Sequence, residues 1–343
     1  MTENNEFDEV MKDITRGFTG DVNHDLMYLQ EQAEKYKGHK YEKEILRACG
    51  RLMYEIIPDE KKEEIAGIVS KDNMGFDAAL DEVKFNIYKK NYDRALELIE
   101  EMVSKYEELD LFANDSVSEY YCFTEPMEEI IYRHSSKSNR DFRKAEIDYV
   151  QLYLTYGILL VEMKRFDDAA KALEKAKRWN PVNATIAFEY IETFKMRNML
   201  EDFAALTRKC FKFVFKPKDL ASCYRNMAYY FVEIEDYKAA VCCLKFSGQF
   251  ENNEMISSEL YYISQKTGEV YNPNEEDFDK VFKKYSIPVG PELEVLKLAY
   301  SYGKHFYEQQ DDNGTAYFWG IFADFIDDEE VNNVLKVIEK KEQ

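Results

Sequence analysis

The sequence predicts an all-α chain of antiparallel helix pairs, and three observations predict it. Apolar residues recur at helical spacing. Small residues sit at fixed offsets within those stripes. Turn formers are scarce, with 13 Gly and 7 Pro in 343 residues. Strict apolar/polar alternation, the mark of a half-buried strand, is hard to find. A hydrophobic fraction of 45% is enough for a sizeable core, and the length suits two or three domains or one elongated array.

The N-terminal part reads as helix. His24 to Lys37 carries Leu26, Leu29, Ala33 and Tyr36, and Tyr41 to Ile57 carries Ile45, Ala48, Leu52 and Ile56. Pro58-Asp59 restarts a helix, with Asp59 as its cap and Glu63 in the first turn. Residues 1–70 are expected to form irregular helices that cap the end of the array. Ala79, Val83, Tyr92, Ala95, Ile99 and Met102 make a degenerate hairpin over 71–109. Residues 110–146 read as an interruption with a loop at Ser135-Ser136-Lys137-Ser138-Asn139. Within it Tyr120-Tyr121-Cys122-Phe123 is expected either to dock onto the solenoid or to stay partly exposed and sticky.

The regular part begins near Val150. Tyr153, Tyr156, Gly157 and Leu160 lie on one helical face, and Lys164-Arg165 breaks the stripe. Phe166, Ala169, Ala170, Leu173 and Ala176 form a second stripe, which ends at Asn180-Pro181. Two short helices with a brief polar turn make an αα-hairpin. Gly157 and Ala169 are expected where the two axes cross, because a large side chain would not fit there. The pattern recurs. Ala187 stands 34 residues after Tyr153, and Ala228 and Ala240 stand 71 after Gly157 and Ala169. The three hairpins cover 147–254. The remainder, 255–343, holds less regular helices, including one capped by Asn274 with Asp277, and a last hairpin: Ala299, Tyr302, Gly303 and Phe306 with Ala316 and Ala323. Its turn, Gln309 to Gly314, reads as longer than the others. Phe203 and Gly320 depart from the pattern in size.

This arrangement resembles the tetratricopeptide repeat, whose period is about 34 residues. Tyr153 stands where that family usually has Trp, Tyr156-Gly157 takes the Leu-Gly place, and Ala169, Leu173, Ala176 and Pro181 follow in order. The chain as a whole is similar to a bacterial group of this repeat class that carries no established activity. The resemblance implies an α-α superhelix whose concave groove is lined by the first helix of each pair. Projected onto this chain, the groove holds Gln151, Thr155 and Ile158, then Phe188, Glu189 and Glu192, then Arg225, Asn226 and Tyr229. The last hairpin adds Lys297, Tyr300, Ser301 and Lys304. Arg225, Lys297 and Lys304 stand out in so acidic a chain. With Asn226 and Tyr229 they are expected to hold a carboxylate or an extended peptide backbone. Leu154 and Ile158 occupy places where a carboxylate clamp would need polar residues.

Charge narrows the partner. Lys and Arg number 46 and Asp and Glu 67, a net charge of −21, which repels a phosphate backbone or an anionic membrane. No apolar stretch approaches the ~18–20 residues that span a bilayer, and the acidic N-terminus does not read as a secretory signal. Six cysteines without framework spacing are expected to be reduced thiols in a cytoplasm. No glycine-rich phosphate loop, CxxC, HExxH or GxSxG is present. His24, His39, His134 and His305 are scattered, and Cys242-Cys243 diverge on a helix. No cofactor or metal is therefore expected. The function expected is a protein- or peptide-binding scaffold rather than an enzyme. The alternative is a peptide-sensing or stress-response regulator, with residues 1–70 and 110–146 as its output surface. An enzyme with a site between the N-terminal and repeat regions ranks last.

Overall fold

A computed structural model describes the backbone of residues 5–109, 112 and 114–342, and their side chains except at 5, 54, 59, 60, 62–74, 108, 109 and 342. The side chains of Asp59, Glu60, Glu63 and Glu64 therefore lie outside the described residues. Among the described residues the chain is all-helical but for two short strands. It divides into two compact units. The first comprises Met1–Cys122 with Lys137–Thr155, and the second Phe123–Ser136 with Tyr156–Gln343.

The first unit holds α1 (Asn5–Arg16), α2 (Val22–Lys35), α3 (Glu42–Ile56), α4 (Asp59–Tyr88) and α5 (Tyr92–Leu109). Phe7, Ile14, Leu29, Ile45, Ala48 and Cys49 bring α1, α2 and α3 together in one apolar cluster. The α4–α5 hairpin closes over Phe76, Val83, Ala95, Ile99 and Tyr106, all buried. Helix α4 runs unbroken through residue 70, where the sequence placed a boundary. The expected all-α class holds but for one short two-stranded ladder. Strands β1 (Ser118–Tyr121) and β2 (Asp141–Lys144) pair in parallel, with Ser118 opposite Asp141 and Tyr121 opposite Lys144. Tyr120 and Tyr121 are buried in β1, so these two members of the aromatic run are not left exposed.

The second unit begins with α6 (Pro126–Ser135), a helix inside the segment read as an interruption. Its Glu128 is buried, and the carboxylate accepts hydrogen bonds from Thr124 N and Oγ1, Glu125 N, and the side-chain amides of Asn180 and Asn183, at 2.8–3.0 Å. Three donors of the α6 entry and two amides from the next corner thus share one acceptor, which fixes where α6 lies. Met127 and Ile131 carry α6 into a core with Val295, Ala299 and Phe318.

Helix α7 (Tyr149–Glu162) starts in the first unit and ends in the second. It is followed by α8 (Phe166–Trp179), α9 (Ala184–Met196), α10 (Leu200–Cys210), α11 (Pro217–Glu233) and α12 (Tyr237–Ser247). Then come α13 (Glu254–Thr267), α14 (Glu275–Tyr285), α15 (Leu293–Glu308), α16 (Asp312–Ala323) and α17 (Glu329–Glu342). Asn274 and Asp277 cap α14 reciprocally, as expected.

One turn geometry recurs. Lys90, Lys164, Asn198, Glu235 and Gln310 each adopt a φ of 58–59° between the two helices of a pair. The next residue's N–H reaches back five residues: Asn91 to Asn86, Arg165 to Leu160, Met199 to Phe194, Asp236 to Phe231 and Asp311 to Phe306, all at 2.8–3.0 Å. This is a Schellman closure made with non-glycine residues. Lys164, Asn198 and Glu235 follow one another at 34 and 37 residues. The last turn is no longer than the others, contrary to the sequence reading. Asp311 caps α16 through Gly314 N, so Asn313 and Gly314 are helical. Gly314 is small because Phe306 packs over it; a Cβ there would lie 2.5 Å from the ring.

Close helix approach falls where the small residues predicted it. A Cβ on Gly157 would stand 2.4 Å from Leu173 Cγ, and one on Gly303 2.2 Å from the Trp319 ring. Ala228 is buried in the core that α11 and α12 share. Gly320 faces open space.

Two predictions follow from this packing. Gly303→Ala should destabilise by about 1–3 kcal/mol through overpacking, whereas Gly320→Ala should stabilise by about 0.5–1 kcal/mol through helix propensity; urea denaturation of both variants checks the opposite signs. Glu128→Ala leaves buried amides without an acceptor and should cost about 3 kcal/mol, with Glu128→Gln losing less, read in the same titration.

Candidate functional site

The core beneath the site is built around α11. Tyr224 is fully buried, its ring 5.0 Å from Phe211 and 4.9 Å from Phe246. Its hydroxyl donates to Pro288 O and accepts from Gly290 N, both at 2.8 Å. With one face of α11 held this way, the opposite face carries Arg225, Asn226, Tyr229, Val232 and Glu233. These line a cavity of about 440 Å³. Lys195 enters from α9, Leu244 from α12, and Met255, Ile256, Glu259 and Tyr262 from α13.

Helix α13 forms a wall because Asn253 caps it, accepting from Met255 N at 2.9 Å, while Ile256, Leu260 and Ile263 pack on the α11–α12 core. Its other face keeps Met255 and Tyr262 exposed. The Asn226 amide makes no hydrogen bond within the described residues and is open to a ligand's backbone.

The charges are paired unevenly. Lys195 Nζ lies 3.1 Å from Glu192 Oε1 and 4.6 Å from the centre of the Tyr229 ring. Arg225 Nη1 lies 2.8 Å from Glu251 Oε2, and Nη2 donates to Ser222 Oγ at 2.8 Å. Glu233 and Glu259 are exposed and have no cationic partner among the described residues. Burial, then Glu233 and Glu192, raises the Tyr229 phenol above its ordinary value. Burial, then Glu192 and Glu162, likewise holds Glu189 above the ordinary carboxylate range.

Of the residues projected onto a groove, Arg225, Asn226 and Tyr229 are brought together in this cavity. Glu189 stands on the same helix as Glu192 and Lys195, outside the lining. Lys297 is exposed and pairs with Glu294 at 2.6 Å on its own helix. Tyr300 lies against Phe322, 5.2 Å between ring centres, and Lys304 is exposed on α15. Neither joins the cavity. Gln151 and Thr155 belong to the first unit, where Gln151 accepts from Lys84 at 3.3 Å. Thr155 is buried, so it presents no groove surface. Arg225 pairs with Glu251, so a ligand carboxylate there would compete with an ion pair already formed. The α13 residues were missed, because the stretch after Asn253 has none of the small-residue spacing that marks the hairpins.

All six cysteines are buried and unpaired by disulfides. Among the described residues no helix is long and apolar enough to cross a membrane.

The raised Glu189 pKa has a sign. The folded state binds this proton more tightly than the unfolded chain does. Stability therefore falls as pH rises from the ordinary glutamate range through the raised value. Glu189→Gln should remove that slope and increase stability at neutral pH, measured by urea unfolding across a pH series. Compared with known proteins, the chain matches no family model and no curated relative.

Proposed function

We propose that the chain is a non-enzymatic, cytoplasmic scaffold of the tetratricopeptide kind that binds an extended protein segment or peptide between α9, α11 and α13. Three features support the superhelical reading. The same Schellman turn closes five helix pairs. Three consecutive turns stand 34 and 37 residues apart. Gly157 and Gly303 lie where a Cβ would strike the partner helix. In such a stack the first helices of successive pairs face one concave side; α9 and α11 are first helices of their pairs, and α13 packs on α12 beside them.

The observation that carries the binding reading is the cavity itself. It is about 440 Å³, within the range of ligand sites, and combines apolar walls with a few polar groups. Val232, Met255 and Ile256 offer apolar contact, Tyr229 and Tyr262 offer aromatic faces, and the Asn226 amide suits an extended backbone. Asn226→Ala/Tyr262→Ala removes two lining side chains without touching the buried core.

Peptides selected from a random nonapeptide phage library on the intact protein should bind this double variant at least tenfold more weakly in fluorescence polarisation. A library that enriches nothing over background, or selected peptides that bind wild type and variant equally, would sink the proposal.

A further inference from the structure

The cavity has a charge balance opposite to the one its two basic residues suggest. Lys195 and Arg225 each face a carboxylate of this chain, Glu192 at 3.1 Å and Glu251 at 2.8 Å. Glu233 and Glu259 remain, exposed on α11 and α13, with no cation among the described residues to answer them. Four carboxylates thus stand at or beside a space that holds two cations. A bound carboxylate would have to displace Glu251 or Glu192 from an existing ion pair, and would meet Glu233 and Glu259 on entry. A bound ammonium or guanidinium meets two free carboxylates and the tyrosine faces. The Tyr229 ring already carries one ammonium, that of Lys195, at 4.6 Å.

From this we infer that the cavity selects a peptide bearing a lysine or arginine side chain, received between Glu233 and Glu259, with an adjacent aliphatic residue against Val232, Met255 and Ile256. The inference rests on the peptide-binding reading above and deepens it. Its charge preference is the reverse of a carboxylate clamp. The chain's net charge of −21 attracts basic peptides everywhere on its surface, so the test needs a control that changes the same charge elsewhere. Glu329 and Glu330, exposed on α17, supply it.

The experiment selects a random nonapeptide phage library on four intact proteins: wild type, Glu233→Gln/Glu259→Gln, Glu329→Gln/Glu330→Gln and Asn226→Ala/Tyr262→Ala. Lys and Arg should be enriched beside aliphatic residues on wild type and on the α17 control. That enrichment should vanish on Glu233→Gln/Glu259→Gln. A synthetic copy of a selected peptide should bind that variant about tenfold more weakly. Enrichment of Asp and Glu, or undiminished Lys and Arg enrichment on Glu233→Gln/Glu259→Gln, overturns the charge inference and leaves the peptide-binding reading standing. No enrichment on wild type beyond that on Asn226→Ala/Tyr262→Ala defeats both. Displacement of a selected peptide by Nα-acetyl-lysine amide at equal concentration would mark a small-cation site and overturn the commitment to a peptide.

Discussion

Reversing an α-helix within three residues requires one residue to leave the right-handed region, and among the described residues five helix pairs meet that requirement with a side chain in place. Lys90, Lys164, Asn198, Glu235 and Gln310 all take φ near 58°. A non-glycine residue pays for this conformation with roughly 1–2 kcal/mol of steric strain. The six-to-one hydrogen bond that follows each one, together with the apolar burial of the returning helix, offsets it. The antiparallel packing of these helix pairs depends on those reversals. Missing volume at Gly157, Gly303 and Gly314 then lets the returning helix close up.

The helices were legible in sequence because their apolar faces repeat every three to four residues, a local signal. The hairpins from Tyr149 to Ser247 were legible for a second reason: their small residues recur at a fixed distance. What was not legible is non-local. Strands β1 and β2 are four residues each and pair across an intervening helix. Neither shows a pattern that a reader of one segment could detect. Helix α6 carries local start signals, Pro126 and the Glu125–Glu128 capping box, but its placement was not legible. Its position depends on Glu128 finding Asn180 and Asn183 more than fifty residues downstream.

The site was half legible. Asn226 and Tyr229 follow from knowing which face of α11 is apolar, since Tyr224, Met227, Ala228 and Phe231 claim the other. The opposing wall was not, because Met255, Glu259 and Tyr262 sit on a helix whose polar and apolar residues are mixed. Charge was the least legible property. In sequence Arg225 reads either as a groove cation or as the partner of a neighbouring glutamate, and the fold selects the second through Glu251, in the loop after α12. A few ångströms of loop placement thus invert the electrostatic character of the cavity, a reminder that charge type carries little meaning without its neighbours.

The burial of every thiol has a practical consequence. Cys49 and Cys122 lie in the first unit, and Cys210, Cys223, Cys242 and Cys243 in the second. A maleimide or disulfide reagent can reach none of them until the surrounding helices open. The rate at which each cysteine becomes labelled, resolved by peptide mass, is therefore a separate clock for the opening of each unit. The same silence of the native thiols means that a single cysteine placed on α13 would carry a dye with no competing background.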